Sequence, residues 1–111
     1  MRDPGMFFSI WIKYYSKYFD NILIIDNCSI EPIPPFPVMI DNYELQYWNH
    51  KPFGDYIAHT EFVKAKQKEL LKDYDVVVYT DMDEIIYPTQ CDLKTYIENM
   101  QSDYVRCKGF E

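Results

Sequence analysis

Apolar positions in the first part of the chain change from a helical to a strand pattern. A segment at about 6–19 carries apolar side chains every three to four residues, which predicts an amphipathic helix with an aromatic core face. These side chains are Phe8, Trp11, Ile12, Tyr15, Tyr18 and Phe19. The continuous apolar run 22–25 follows and predicts a short strand covered on both faces, as in a parallel sheet. The run stops at Asp26, where turn-forming residues begin.

The second part of the chain shows another alternation of helix and strand patterns. Residues that favour helix dominate about 55–73, so we expect a second helix there. The run Val76–Tyr79 then predicts a second buried strand. Apolar spacing over 93–100 predicts a third helix, with Asp92 or Thr89 as its N-cap.

Three weaker patterns predict further strands. Residues 38–40 and 44–48 follow a proline-rich connection, and the alternation in 44–48 is typical of an edge strand. Residues 104–108 predict one more strand near the end of the chain.

Strands that alternate with helices indicate an α/β fold, with a mainly parallel sheet and helices on both faces. A length of 111 residues suits a single small domain. Because the pattern opens on a helix without a preceding strand and ends without a terminal element, we expect the chain to be a partial domain.

Charge and cysteine content exclude several functions. Acidic residues number 18 against 11 basic ones, a balance that disfavours nucleic acid as a partner. Cys28, Cys91 and Cys107 form no C-x-x-C pair, so we expect three reduced thiols rather than a zinc site. No apolar stretch approaches the roughly 20 residues of a membrane-spanning helix, so no membrane segment is predicted.

Acidic residues stand at the ends of both predicted buried strands. Asp26 ends the first, and Asp81 and Asp83 follow the second. Ligands of open α/β sheets bind at the carboxyl ends of the strands. We therefore expect these acidic residues to lie together at one edge of the sheet. Alternate residues of an extended chain point the same way, and two carboxylates favour Mn²⁺ or Mg²⁺. A solvated turn or a helix cap is the plain structural alternative for this D-x-D sequence.

Three ordered blocks of sequence resemble family 2-like glycosyltransferases of the GT-A fold, most closely the group whose metal motif reads D-x-D-E-[FI]-[IL]. The blocks are Arg2-Asp3 before the aromatic helix with Ile12-Lys13-Tyr14-Tyr15, then Ile24-Ile25-Asp26-Asn27-Cys28-Ser29, then Tyr79-Thr80-Asp81-Met82-Asp83-Glu84-Ile85-Ile86. The similarity runs from Arg2 to about Ile97. It implies a partial GT-A fold, which is a Rossmann-like nucleotide-diphospho-sugar transferase fold.

The resemblance also implies ligands and residue roles. The donor would be a nucleoside-diphosphate sugar, transferred with inversion to a glycan, lipid or protein acceptor. Asp83 would bind the manganese or magnesium ion that bridges the diphosphate, and Asp81 would support the metal or contact the ribose. Asp26 would contact the nucleoside, unless it only forms a turn. Arg2 and Asp3 would lie beside the nucleotide, unless they are plain surface residues.

The sequence departs from the family pattern in ways that keep other functions open. Pro4 replaces the usual acidic residue, and no acid after Asp83 fits the catalytic base, so the catalytic residues are unassigned. A truncated, non-catalytic nucleotide-binding remnant is therefore one alternative. The other is a D-x-D phosphatase, with Asp81 as nucleophile and Asp83 as acid and base. We interpret His50 and His59 as surface or helix histidines.

Overall fold

Two parallel strands and three helices form the regular structure of the residues described here. The computed structural model describes residues 1–31, 36, 42–52, 54–105 and 107–109. The elements in chain order are α1 (Met6–Tyr15), β1 (Ile22–Asp26), β2 (Tyr43–Tyr47), α2 (Tyr56–Leu70) and α3 (Leu93–Glu98). The chain therefore has the expected α/β class, as a small two-stranded parallel sheet with helices.

The first strand of the sheet, β1, forms where the sequence predicts it. β1 and β2 run parallel in a register that pairs Ile22 with Tyr43 and Asp26 with Tyr47. Along β1, side chains alternate between buried and half-buried, so both faces are at least partly covered. β2 is mostly exposed and matches the predicted edge strand 44–48 to within one residue.

The hydrophobic core lies between α1 and β1. Phe8, Ile12 and Ile24 are fully buried. The other buried apolar residues are Trp11, Tyr15, Ile22 and Leu93. Burial of each large apolar side chain contributes roughly 1.5–3 kcal/mol, so the aromatic face of α1 is a main source of stability. This confirms the predicted core face of α1, although the helix ends at Tyr15 rather than near Phe19.

The other two predicted helices are also present. Asp92 is the N-cap of α3, and its carboxylate accepts a hydrogen bond from the Thr95 N–H at 2.7 Å. Asp55 caps α2 in the same way through the Ala58 N–H. No residue of α2 is buried, so this helix packs much less closely than α1.

The prediction of a second buried strand at Val76–Tyr79 is wrong. These residues lie in no strand, and Val76 is 43% exposed. Their backbone makes no hydrogen bond to other described backbone groups. Valine favours an extended chain, but a strand also needs a partner, and the described sheet contains only β1 and β2. The described residues of 104–108 likewise lie in no strand, and the predicted strand 38–40 lies outside the described residues.

Two further properties follow from the described residues. No helix among them is long and apolar enough to cross a membrane. Cys28, Cys91 and Cys107 are free thiols, and the last two are exposed.

Adjacent phenylalanines in α1 allow a matched test of this core. Phe8 is fully buried and Phe7 is 50% exposed. We expect Phe8→Ala to lower the free energy of unfolding by about 3–5 kcal/mol, because it leaves a cavity in the core. Phe7→Ala should lower it by less than about 1 kcal/mol. Urea unfolding of both variants measures the difference, and equal losses would contradict this placement of the core.

Candidate functional site

Side chains of α1 hold the acidic segment in place although that segment is not a strand. The Trp11 Nε1–H donates a hydrogen bond to Thr80 Oγ1 at 2.7 Å. The Tyr14 hydroxyl donates to the Ile86 carbonyl at 2.8 Å. These two contacts attach the segment on both sides of the D-x-D sequence to the same helix.

Tyr15 provides the most buried of these contacts. Its hydroxyl donates to the Glu84 carbonyl at 3.1 Å and accepts from the Ile86 N–H at 2.9 Å. Burial raises the pKa of Tyr15, so the phenol stays protonated and keeps its donor at neutral pH. One side chain thus satisfies two backbone groups just after the acidic residues.

The D-x-D sequence forms a turn rather than the extended chain assumed from the sequence. The Glu84 N–H donates to the Asp81 carbonyl at 3.1 Å, and the Asp81 N–H donates to Glu84 Oε2 at 3.3 Å. The alternation argument for Asp81 and Asp83 therefore does not apply. Both side chains are exposed and accessible to a ligand. Within the described residues, no group of three or more His, Cys, Asp or Glu side chains could hold a metal ion.

A hydrogen-bond chain ends on Asp81. The Tyr79 hydroxyl donates to Asp81 Oδ1, and His59 Nε2 lies 2.9 Å from the same hydroxyl. Partial burial raises the pKa of Tyr79, and the hydrogen bond to Asp81 raises it further. Tyr79 is therefore protonated at neutral pH and acts as a donor toward the carboxylate.

Asp26 lies at the carboxyl end of β1, as predicted, and it is only 5% exposed. Its carboxylate accepts hydrogen bonds from the backbone N–H of Ser29, at 3.3 Å, and from the Ser29 hydroxyl. It therefore shapes the turn after the strand. Burial lowers the pKa of the Met1 amino group, and the charges of Asp26 and Asp81 oppose this shift.

Arg2 and Asp3 connect the start of the chain to the loops around this site. Arg2 Nε donates to the Asn27 carbonyl at 2.8 Å, and an Arg2 terminal nitrogen donates to the His50 carbonyl at 2.9 Å. Asp3 Oδ1 accepts from the Ile30 N–H at 2.8 Å. Both residues thus have structural partners at the carboxyl edge of the sheet.

A cleft of about 770 Å³ lies beside Arg2 and Asp81. Its lining includes residues 22–25 of β1, part of α2 and the segment 76–82, whereas Asp3, Asp26 and Asp83 are not part of the lining. Small-molecule sites typically measure roughly 300–1,000 Å³, so the cleft has room for a ligand of nucleotide-sugar size.

Aromatic residues missed in the sequence form one wall of the cleft. The Trp48 ring stacks on Phe62 at 4.4 Å and on His50 at 4.7 Å between centroids. His59 lies 6.3 Å from the Trp48 ring. Trp48 follows β2 directly. It therefore lies at the carboxyl end of a strand, as Asp26 does, which is where ligands of open α/β sheets bind.

Removal of the Tyr15 hydroxyl tests whether its hydrogen bonds to Glu84 and Ile86 stabilise the acidic segment. We expect Tyr15→Phe to lower the free energy of unfolding by about 1–3 kcal/mol, because two backbone groups lose their partner. Tyr18→Phe is the matched control, since its hydroxyl has no hydrogen bond within the described chain. Urea unfolding measures both changes, and a loss for Tyr18→Phe as large as for Tyr15→Phe would refute the assignment.

The Asp55 cap predicts a pH dependence. Hydrogen bonds from the Ala58 N–H and from His50 lower the pKa of Asp55 from its ordinary 3.8. The stabilisation is therefore fully present above that value and is lost as pH falls through the lower pKa of the folded chain. Asp55→Asn keeps a capping oxygen but does not titrate. Urea unfolding measures the free energy of unfolding of the wild type and of Asp55→Asn at pH 7 and at pH 3. The wild type should exceed the variant by more at pH 7 than at pH 3. The same difference at both pH values would contradict this prediction.

No protein-family model matches this chain, and no curated protein or solved structure is significantly similar to it. The resemblance to glycosyltransferases therefore depends on the sequence blocks alone.

Proposed function

We propose that this chain is the nucleotide-sugar-binding part of a metal-dependent glycosyltransferase of the GT-A type. The observation that carries the proposal is that one cleft reaches both acidic segments. Asp81 lines it, and so do Ile25 and Asn27, the two neighbours of Asp26. Its volume of about 770 Å³ suits a nucleotide sugar. The cleft extends along β1 as far as Asn27, just beyond the carboxyl end of the strand, where ligands of open α/β sheets bind.

The acidic residues fit the cation that the proposal requires. Mg²⁺ commonly binds through one or two carboxylates together with substrate phosphates and water, so it needs no complete protein cage. Asp81 and Asp83 are exposed carboxylates in one turn, which supplies this kind of donor set. A site with only two protein ligands also agrees with a cation that binds together with the nucleoside diphosphate.

The residues around the cleft have defined parts in donor binding. The Asp26–Ser29 turn and the Arg2 contacts hold the loops at the strand ends in shape before a ligand arrives. Trp48, stacked with Phe62 and His50, contributes an aromatic wall to the cleft. When bound, the cation would supply Lewis-acid stabilisation of the diphosphate that leaves the sugar. The acceptor, a glycan, lipid or protein, and the base that deprotonates it stay unassigned.

Binding of Mn²⁺ and UDP tests the proposal without any knowledge of the acceptor. We expect the wild-type chain to bind UDP more tightly when Mn²⁺ is present. Asp83→Ala should weaken this binding at least about tenfold, a loss that even an outer-shell partner of a metal site commonly causes. Isothermal titration calorimetry measures the affinities.

Asp103→Ala is the matched control, because Asp103 is an exposed acid outside the D-x-D turn, like Asp83 in exposure but twenty residues further along the chain. It removes the same charge and should bind UDP and Mn²⁺ as the wild type does. Equal affinity of the wild type and Asp83→Ala would refute the proposal, and so would an equal loss in both variants.

A further inference from the structure

His59 and Tyr79 join α2 to the D-x-D segment through side chains alone. His59 lies in α2, Tyr79 precedes the turn, and their polar atoms are 2.9 Å apart. The two rings also meet edge to face, with centroids 5.9 Å apart and planes inclined by 62°. The Tyr79 hydroxyl then reaches Asp81 Oδ1. Asp81 is thus linked to an element that is separate from α1.

The number of available protons fixes which group donates in each hydrogen bond between His59, Tyr79 and Asp81. An ionised carboxylate only accepts hydrogen bonds, and a phenol has a single proton to donate. Tyr79 therefore gives its proton to Asp81 and must accept from its other neighbour. It follows that His59 is protonated on Nε2, where it donates to the Tyr79 oxygen.

This direction has a consequence for the carboxylate. The Asp81 side chain is exposed, and without a partner it would rotate among its rotamers in water. The Tyr79 hydrogen bond occupies Oδ1 and leaves Oδ2 for another partner. Carboxylates that bind metals are commonly oriented by such hydrogen bonds from an outer group.

We propose that Tyr79 positions the Asp81 carboxylate for a divalent cation, and that His59 holds the Tyr79 hydroxyl in the required orientation. This inference rests on the proposed function, because it assumes a cation at the D-x-D turn. Tyr79 and His59 do not touch the cation in this assignment; they are positioning residues. The aromatic contact of His59 with Trp48 connects them to the wall of the cleft.

Mn²⁺ affinity of conservative variants tests the inference. Tyr79→Phe removes the hydroxyl but keeps the ring, and it should weaken Mn²⁺ binding by about tenfold. His59→Leu should weaken it in the same direction, whereas His59→Gln, which keeps an N–H donor, should restore most of the affinity. Tyr87→Phe is the control, since Tyr87 is exposed and makes no hydrogen bond in the described chain. Electron paramagnetic resonance of free Mn²⁺, recorded with UDP present, measures the affinities, and circular dichroism confirms that each variant is folded.

A double variant separates positioning from general loss of structure. If His59 acts only through Tyr79, adding His59→Leu to Tyr79→Phe should cause no further loss of Mn²⁺ affinity. Losses that add, or a His59→Gln variant as weak as His59→Leu, would overturn the inference. Wild-type affinity in Tyr79→Phe would also overturn it.

The result for Asp83→Ala distinguishes the two proposals. If that variant loses Mn²⁺ while Tyr79→Phe and His59→Leu keep it, the cation site stands and the positioning role fails. If Asp83→Ala binds Mn²⁺ as the wild type does, the proposed function fails and the positioning role fails with it. In the metal-free protein, nitrogen-15 NMR gives an independent check, since His59 should carry its proton on Nε2.

Discussion

The amphipathic character of the aromatic residues in α1 is the constraint on which the rest of the structure depends. Rings of Trp11 and Tyr15 are buried against β1, while their polar atoms donate to the segment that follows residue 79. Tyrosine and tryptophan suit this arrangement because one end is apolar and the other forms hydrogen bonds. The same helix therefore stabilises the core and fixes the acidic turn, so the two cannot vary independently.

The site combines a rigid part and an open part. Asp26 is buried and closes a turn with Ser29, so the loop after β1 has one well-defined shape. Asp81 and Asp83 lie in an exposed turn that is attached at its two ends. An attached but exposed pair of carboxylates suits a ligand that brings its own phosphate oxygens to the cation. Under the proposed function, a nucleotide would complete this partly formed site.

Packing is uneven around the cleft, and this follows from where the apolar residues lie. α1 buries an aromatic face against β1, whereas α2 buries no residue and contributes partly exposed rings to the cleft wall. Residues 76–79 carry three valines without a strand partner in the described part of the chain, beside the same cleft. Apolar side chains that are not used in a core are available to a ligand, and a mainly apolar cleft with a few polar groups is typical of binding sites.

Sequence by itself determined the local elements: α1, β1, β2, α2 and α3 all appear close to the predicted positions, because their signals are periodicity and capping within a few residues. Only the tertiary structure decided that Val76–Tyr79 pairs with no strand among the described residues, that the D-x-D residues form a turn, and that His59 reaches Asp81 through Tyr79. The physical reason is distance along the chain. Strand pairing and side-chain contacts between remote residues depend on how the elements pack, which no local pattern encodes.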